Sequence, residues 1–202
     1  MPIIYLIETN NHTALSQSIR FFSRYPYNHL SISLDPSLSE VYSFGRREPL
    51  NPLMAGFAKE DFSHPFYKDS VGRVYALQVN FQEYEIIENQ LHSFSLNPLA
   101  WHYNLLGLLP AYFQYSWDRS DHFFCSEFVA TLLKSAGVLS PFTRPSLMHP
   151  KDVIEAVHPS CIYDGRLQQY PELIKMAPHT SPVNRNWRDF NPIQYVYKQV
   201  GR

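Results

Sequence analysis

Polar and apolar residues alternate along two neighbouring stretches in the first quarter of the chain. Residues 29–34 place His29 and two serines on one side and three aliphatic residues on the other. A period of two is typical of a half-buried β-strand. The sequence Asp-Pro-Ser at 35–37 favours a turn, and residues 40–46 continue as a second strand-like stretch. Together these stretches predict a β-hairpin.

The position of the turn decides which residues of this hairpin share a face. With the turn centred near Ser37, His29 lies opposite Gly45. Ser43 and Arg47 then lie on the same face of the sheet as His29. The hairpin is therefore predicted to place a hydroxyl beside a histidine.

The same periodicities predict the other elements. Asn80, with Glu83 three residues later, is a helix-capping pattern. An apolar stripe from Phe128 to Ala136 predicts another helix, which Gly137 ends. The further predicted elements are strands over 3–8, 74–79 and 161–163, and helices over 14–25, 101–109 and 150–157.

Cys125 lies at the start of the helix that carries this apolar stripe. A helix N-terminus presents unpaired N–H groups and positive potential, which stabilise a thiolate. The alternative is a small buried residue on a core helix, a frequent environment of free cysteine. Ser126 and Glu127 follow Cys125 directly, and the stripe begins only at Phe128. The pattern therefore favours a nucleophile in the first turn.

A cysteine nucleophile needs a base within hydrogen-bond reach, and His29 is the strongest candidate. Taken alone, the position of His29 on the polar face of a strand is equally compatible with a surface residue that has no catalytic role. Most of the other histidines lie in apparent loops or at element ends. His122, three residues before Cys125, is an accessory candidate.

The base needs a third polar group that fixes its orientation. Ser43 is preferred because it lies on the neighbouring strand and on the same face. Glu40 is a stronger partner chemically but lies close to the turn, and Tyr42 is expected to face the other way. The residues predicted to line a substrate groove are Arg46, Trp101, Tyr103 and Asn104.

Composition argues against several other classes of protein. The 17 basic and 18 acidic residues nearly cancel, so no surface for nucleic acid or anionic lipid is predicted. The 2 cysteines cannot form a disulfide framework, and Cys161 is expected to be a buried structural residue. HExxH, CxxC and phosphate-loop motifs are absent, so no metal and no other cofactor is expected.

Location and domain limits follow from the longer segments. The start of the chain lacks the basic and apolar regions of a signal peptide. The longest apolar run, residues 105–113, is far short of the roughly 20 residues of a membrane span. A cytoplasmic protein without integral membrane association is expected. Residues 1–170 are expected to form a catalytic domain with an irregular insertion at 47–70, and residues 171–202 an extension packed on it.

The order of these motifs resembles a known superfamily. The histidine strand NHLSISLD comes first, the strand EVYSFGRR second, and the cysteine helix FFCSEFVATLLKSAGV last. This order is similar to the circularly permuted branch of the NlpC-type papain-like superfamily, which includes relatives of lecithin:retinol acyltransferase. The segment YSFGRREPLNPLMAGF further resembles uncharacterised bacterial proteins of that branch.

The resemblance implies an α+β fold in which an antiparallel, barrel-like sheet packs against the cysteine helix. It assigns the nucleophile to Cys125 and the base to His29. The third position of the family usually holds a histidine, a glutamate or an amide side chain, whereas the matching residue here is Ser43. The family acts on peptide amides and on lipid esters or amides.

Three functions are compatible with these residues. The first is a thiol hydrolase of amide or ester bonds, of the peptidase or amidase type, acting through a thioester. The second is a lipid-directed acyltransferase or lipid hydrolase with the same dyad, favoured if residues 101–113 line an acyl groove. The third is a binding module with a weak or inactive site. The expected partner is correspondingly a small-molecule, peptide or lipid-like substrate.

Overall fold

One eight-stranded sheet organises the protein. The structure is a computed structural model that describes residues 1–10, 25–48, 51–104 and 121–176. Its strands are β1 (Ile3–Thr9), β2 (His29–Ser33), β3 (Val41–Glu48), β4 (Asn51–Glu60), β5 (Val71–Gln78), β6 (His102–Tyr103), β7 (His122–Phe123) and β8 (Ser160–Arg166). The strand order is β7-β6-β4-β3-β2-β1-β5-β8.

The sheet is mixed and open, so the expected architecture is found only in part. All neighbouring strands run antiparallel except β6 and β7, which are parallel. Within the described residues, β7 and β8 are the two ends of the sheet and do not pair with each other. The α+β class is confirmed, and the wholly antiparallel, barrel-like closure is not.

The predicted hairpin forms with the predicted register. Ile32 pairs with Tyr42 and Ser33 with Val41, which places His29 opposite Gly45 when the register continues. A Cβ built on Gly45 would lie 3.3 Å from Cε1 of His29, so the imidazole lies across this glycine. The alternation of residues was therefore sufficient to fix the pairing of β2 with β3.

Four helices accompany the sheet in the described part of the chain. They are α1 (Phe81–Leu96), α2 (Cys125–Ser135), α3 (Pro150–Val157) and α4 (Pro171–Met176). The Asn80 cap of α1 is confirmed, because its side chain accepts from the N–H of Glu83 while the Glu83 carboxylate accepts from the N–H of Asn80. Gly137, at a φ of +83°, follows α2 in the left-handed region that glycine favours.

Helix α2 packs its apolar stripe on the sheet. Phe128, Val129, Leu132 and Leu133 are fully buried, in one core cluster with Leu30, Ile32 and Phe44 of the hairpin. Burial of each such side chain contributes about 1.5–3 kcal/mol. The start of α2 is consequently held against the hairpin that carries His29.

The irregular insertion predicted for residues 47–70 is wrong for most of its length. Residues 51–60 form β4, which pairs with β3 from Val41↔Glu60 to Glu48↔Asn51. The prolines of this region suggested a loop, but Pro52 is only the second residue of β4, and proline is tolerated near the start of a strand. Only residues 65–67 form a short 3₁₀ turn here.

Three further predictions need correction. Strand β2 is buried on both faces rather than half-buried, because its polar side chains face other polar residues inside the fold. His102 and Tyr103 form β6, not the start of a helix. Cys161 is exposed, because β8 lies at the end of the sheet.

Several predictions concern segments outside the described residues. These are the helix over 14–25, the remainder of the helix over 101–109, and the extension beyond residue 176. Within the described ranges, no helix combines the length and the apolar character needed to cross a bilayer.

Gly56 is predicted to be essential for the packing of β4. A Cβ at this position would collide with the Trp101 carbonyl oxygen and with the guanidinium group of Arg47. Gly56→Ala is expected to lower the free energy of unfolding by about 1–3 kcal/mol in urea denaturation. Gly45→Ala, whose added Cβ has its nearest neighbour at 3.3 Å, should cost less. Equal stability of Gly56→Ala and the unmodified protein would contradict this packing.

Candidate active site

Cys125 is the first residue of α2, as the sequence predicts. It is 5% exposed, and its thiol donates to the carbonyl oxygen of Asn28, with an Sγ–O distance of 3.9 Å. The Glu127 carboxylate accepts from the N–H of Phe124 at 3.2 Å, which caps the helix. The Ser126 hydroxyl donates to the Met148 carbonyl at 2.6 Å and fixes the first turn to the segment before α3.

His29 lies at the start of β2, directly after the carbonyl that receives the thiol. It is 7% exposed, and the carbonyl oxygen of Asn28, the residue before it, lies 3.9 Å from Sγ of Cys125. The sulfur and the imidazole therefore share the start of β2. Nε2 of the ring lies 2.5 Å from Oε1 of Glu60.

The third member of this array is Glu60, the last residue of β4. Its Oε1 contacts Nε2 of His29 and also accepts from the Ser43 hydroxyl at 2.7 Å. Ser43 thus lies on the predicted face, but the contact with the ring is made by Glu60, to which Ser43 donates. A carboxylate is the stronger partner because its bond to the imidazole is charge-assisted. Ser43 instead holds the carboxylate in place.

The electrostatics favour an ion pair between His29 and Glu60. Burial alone would lower the pKa of His29, but the charge of Glu60, followed by that of Cys125, raises it well above the ordinary value of 6.5. Burial would likewise raise the pKa of Glu60, but the charge and hydrogen bond of His29 and the hydroxyl of Ser43 keep it below 4.5. The Glu60 carboxylate therefore favours the protonated form of the ring, the form that arises when the ring accepts a proton.

Tyr103, on β6, is close enough to Cys125 for the charge of the sulfur to act on the pKa of its phenol. Strand β6 pairs with β7, so Tyr103 is opposite Phe123, and the backbone N–H of Asn104 donates to the Phe123 carbonyl at 2.9 Å. Burial, with a contribution from the charge of Cys125, raises the pKa of Tyr103. Its phenol consequently stays protonated over the physiological range and can donate a hydrogen bond near Cys125.

The other predicted orienting and accessory residues lie away from His29. The Glu40 carboxylate pairs with Nζ of Lys59 at 2.9 Å and remains 44% exposed. The Tyr42 ring stacks on Phe57 at 5.9 Å. Nδ1 of His122 lies 2.7 Å from Oδ1 of Asp121. Among the described residues, the carboxylate that contacts the imidazole of His29 is that of Glu60 and not that of Glu40.

The predicted groove residues separate into different environments. Trp101 packs on Phe94, with ring centroids 4.5 Å apart, and joins the core rather than an open groove. Arg46 lies opposite Ala55 in the β3–β4 pair. Asn104 is 2% exposed and anchors β6 next to β7. Of the four, Tyr103 is the one whose pKa is raised in part by the charge of Cys125.

A signal for Glu60 was present in the sequence. The antiparallel pairing of β3 with β4 sets Ser43 opposite Ala58 and Val41 opposite Glu60. Residues two apart share a face, so this register puts Glu60 on the face of Ser43 and His29. The prolines near the turn marked a hairpin rather than a loop.

No metal site accompanies this array in the part of the chain that the structure describes, where no group of three or more His, Cys, Asp or Glu side chains could hold an ion. Comparison of the chain with protein families, with curated proteins and with solved structures finds no match. The function must therefore be argued from the geometry of Cys125, His29 and Glu60.

Proposed function

We propose that this protein is a cysteine hydrolase of amide or ester bonds. The observation that carries the proposal is that Sγ of Cys125 contacts the carbonyl of Asn28, directly before His29, while Nε2 of His29 contacts the buried Glu60 carboxylate. A nucleophile, a base and an orienting carboxylate thus follow one another. This is the arrangement that nucleophilic catalysis by a thiol requires. A cysteine that was only a core residue would need neither the histidine nor the buried carboxylate.

The proposed reaction has two halves. The thiol proton of Cys125 passes to His29, the sulfur attacks the substrate carbonyl carbon, and the protonated ring then gives its proton to the departing amine or alcohol. This leaves a thioester on Cys125. His29 next removes a proton from water, the resulting hydroxide attacks the thioester, and the carboxylic acid leaves as the proton returns to the sulfur. Glu60 holds the ring and offsets its positive charge in both halves.

The developing oxyanion is proposed to lie between the first turn of α2 and Tyr103. Unpaired backbone N–H groups at a helix N-terminus are suited to stabilise negative charge. The Tyr103 phenol, whose raised pKa keeps it protonated, is the proposed second donor. Two donors converging on one oxygen are typical of acyl-transfer sites.

The order of these elements supports a proposal about the fold. His29 on β2 and Glu60 on β4 precede Cys125 on α2. We propose a circularly permuted papain-like arrangement on this basis, with a glutamate at the family's third position. Both cysteines are free thiols, which supports a reducing, cytoplasmic setting.

A substrate panel tests this proposal. Chromogenic esters with acyl chains of two to twelve carbons and short peptide anilides would be incubated with the protein and with Cys125→Ala. Turnover that disappears in Cys125→Ala is expected for one of the two substrate series. Turnover of neither series, or equal turnover by both proteins, would count against the hydrolase.

Removal of the Tyr103 hydroxyl provides a test of the proposed oxyanion site. Tyr103→Phe is expected to lower kcat by roughly tenfold to a hundredfold with little change in KM, because the donor acts mainly on the transition state. Tyr84→Phe, a half-buried tyrosine on α1, is the matched control and should leave both constants unchanged. A change in KM alone would assign Tyr103 to substrate binding.

A further inference from the structure

A second buried carboxylate lies on β1, the strand that pairs with the His29 strand, outside the proposed catalytic array. Glu8 on β1 is 0% exposed, and its Oε2 accepts from the Tyr75 hydroxyl at 2.9 Å and from the Tyr25 hydroxyl at 3.0 Å. Its Oε1 is buried and has no hydrogen-bond partner in the part of the chain that the structure describes. A buried carboxylate is costly unless it is bonded, so the two tyrosines are its main stabilisation.

The two tyrosines connect Glu8 to different parts of the chain. Tyr75 belongs to β5, in the middle of a long antiparallel pair with β1. Tyr25 belongs to the segment Tyr25–Asn28, which enters β2 and ends next to His29. A hydrogen bond from Tyr25 to Glu8 therefore restrains the segment, whereas the bond from Tyr75 joins two strands already fixed by backbone pairing.

The Tyr25–Asn28 segment contacts the sulfur of Cys125 through its last residue. The Asn28 carbonyl receives the thiol of Cys125, and the Asn28 N–H donates to the Thr9 carbonyl, one residue after Glu8, at 3.1 Å. Between them, the Tyr27 ring lies under the guanidinium group of Arg73 at 5.0 Å. Both ends of the segment are thus tied to the end of β1, one by the side chain of Glu8 and the other by the backbone of Thr9.

We propose that the Tyr25–Glu8 hydrogen bond positions the Tyr25–Asn28 segment, so that the Asn28 carbonyl and His29 meet Cys125 in the reactive geometry. Tyr25 and Glu8 act through the segment and are positioning residues. This inference rests on the proposed function, because it concerns the same sulfur and the same imidazole.

The electrostatics agree with this positioning role. Burial raises the pKa of Glu8, while the hydroxyls of Tyr75 and Tyr25 and the charge of Arg73 act to lower it. Burial, followed by the charge of Glu8, raises the pKa of Tyr25 as well, so its phenol remains a donor. The contact therefore joins a neutral donor to a buried acceptor, and the fully buried Glu8 carboxylate is shielded from water as an alternative partner.

A matched pair of variants tests the proposal. Tyr25→Phe and Tyr75→Phe each remove one hydroxyl from the same oxygen of Glu8. The rate of alkylation of Cys125 by iodoacetamide would be measured from pH 4.5 to 9 for both variants, together with their urea denaturation midpoints. Tyr25→Phe is expected to slow alkylation at pH 6 about threefold to tenfold, the equivalent of one hydrogen bond. It should also move the rise of the pH–rate profile to higher pH.

Tyr75→Phe is expected to keep the pH–rate profile of the unmodified protein, even if its urea denaturation midpoint falls as much as that of Tyr25→Phe. Equal profiles for the two variants would overturn the positioning role, because loss of stability alone would then explain both. The unmodified protein and His29→Ala serve as the reference pair. If the unmodified protein and His29→Ala have the same pH–rate profile, the proposed function fails. If those two differ but Tyr25→Phe and Tyr75→Phe have equal profiles, only the positioning role is rejected.

Discussion

His29→Ala is expected to reduce turnover by about a hundredfold or more, because general-base catalysis contributes roughly 10²–10⁴. The variant removes the group that accepts the thiol proton and later protonates the leaving group. It should also slow alkylation of Cys125 at pH 6, where an isolated thiol is almost entirely protonated. The measurements are kcat on the substrate found in the panel and the alkylation rate by mass spectrometry.

The matched control for this variant is His92→Ala. His92 is exposed on α1 and has no contact with the array. It should leave turnover and alkylation unchanged. If His29→Ala retained more than about a tenth of the turnover, His29 would not be the base, since loss of a general base lowers the rate by more than that.

Glu60→Gln is expected to have the second largest effect, on stability as well as on reactivity. Removing one partner of a buried ion pair leaves the other charge uncompensated, which costs about 3–5 kcal/mol. The pKa of His29 would then fall, because burial would no longer be offset by the carboxylate. A neutral ring beside Cys125 would stabilise its thiolate less, so alkylation at pH 6 should slow.

The loss of stability in Glu60→Gln should depend on pH in a defined direction. The pKa of His29 is raised by folding, so its contribution is complete below 6.5 and is lost as the pH rises through the folded value. The pKa of Glu60 is lowered by folding, so its contribution is complete above 4.5 and is lost as the pH falls through the folded value. The difference between the two proteins should be largest from about 4.5 to 6.5.

Urea denaturation of the unmodified protein and Glu60→Gln at several pH values checks this window. The free energies of unfolding should converge at alkaline pH and again at strongly acid pH. A difference that stays constant from pH 4 to pH 9 would mean that His29 is not charged beside Glu60. The pair would then be an ordinary neutral hydrogen bond.

Local patterns were enough to predict the parts of the site that lie on one hairpin and one helix. The alternation over residues 29–34 and the turn at 35–37 predicted the register that pairs Ile32 with Tyr42 and Ser33 with Val41. The apolar stripe beginning at Phe128 gave the place of Cys125 in the first turn of α2. In both cases the signal lies within one element or one tight turn, where period and turn chemistry are decisive.

Glu60 could not be found in this way because its position depends on a longer pairing. It reaches His29 only when β4 folds back on β3, and β3 lies between β4 and β2. The prolines and aromatic residues between 47 and 70 obscured the strand. Recognising that β3 needed a second neighbour would have put Glu60 on the correct face.

The environments of several polar residues were also beyond the sequence pattern. An alternating strand is expected to expose its polar face to solvent. His29 and the serines of β2 are nevertheless buried, because Ser43 and Glu60 lie on the same face. For Cys161 the sequence predicted burial, but its strand is the last of the open sheet and its side chain is exposed. Burial depends on what covers a strand, which the strand itself does not encode.

The two cysteines provide the most direct test of the central claim within a single molecule. Cys125 is 5% exposed and lies beside His29, whereas Cys161 is exposed. Substoichiometric iodoacetamide at pH 6, followed by mass spectrometry of the two cysteine peptides, measures which sulfur reacts first. Activation by the imidazolium predicts that Cys125 is alkylated at least about tenfold faster, despite its burial. Faster alkylation of Cys161, or equally slow alkylation of both, would contradict the account.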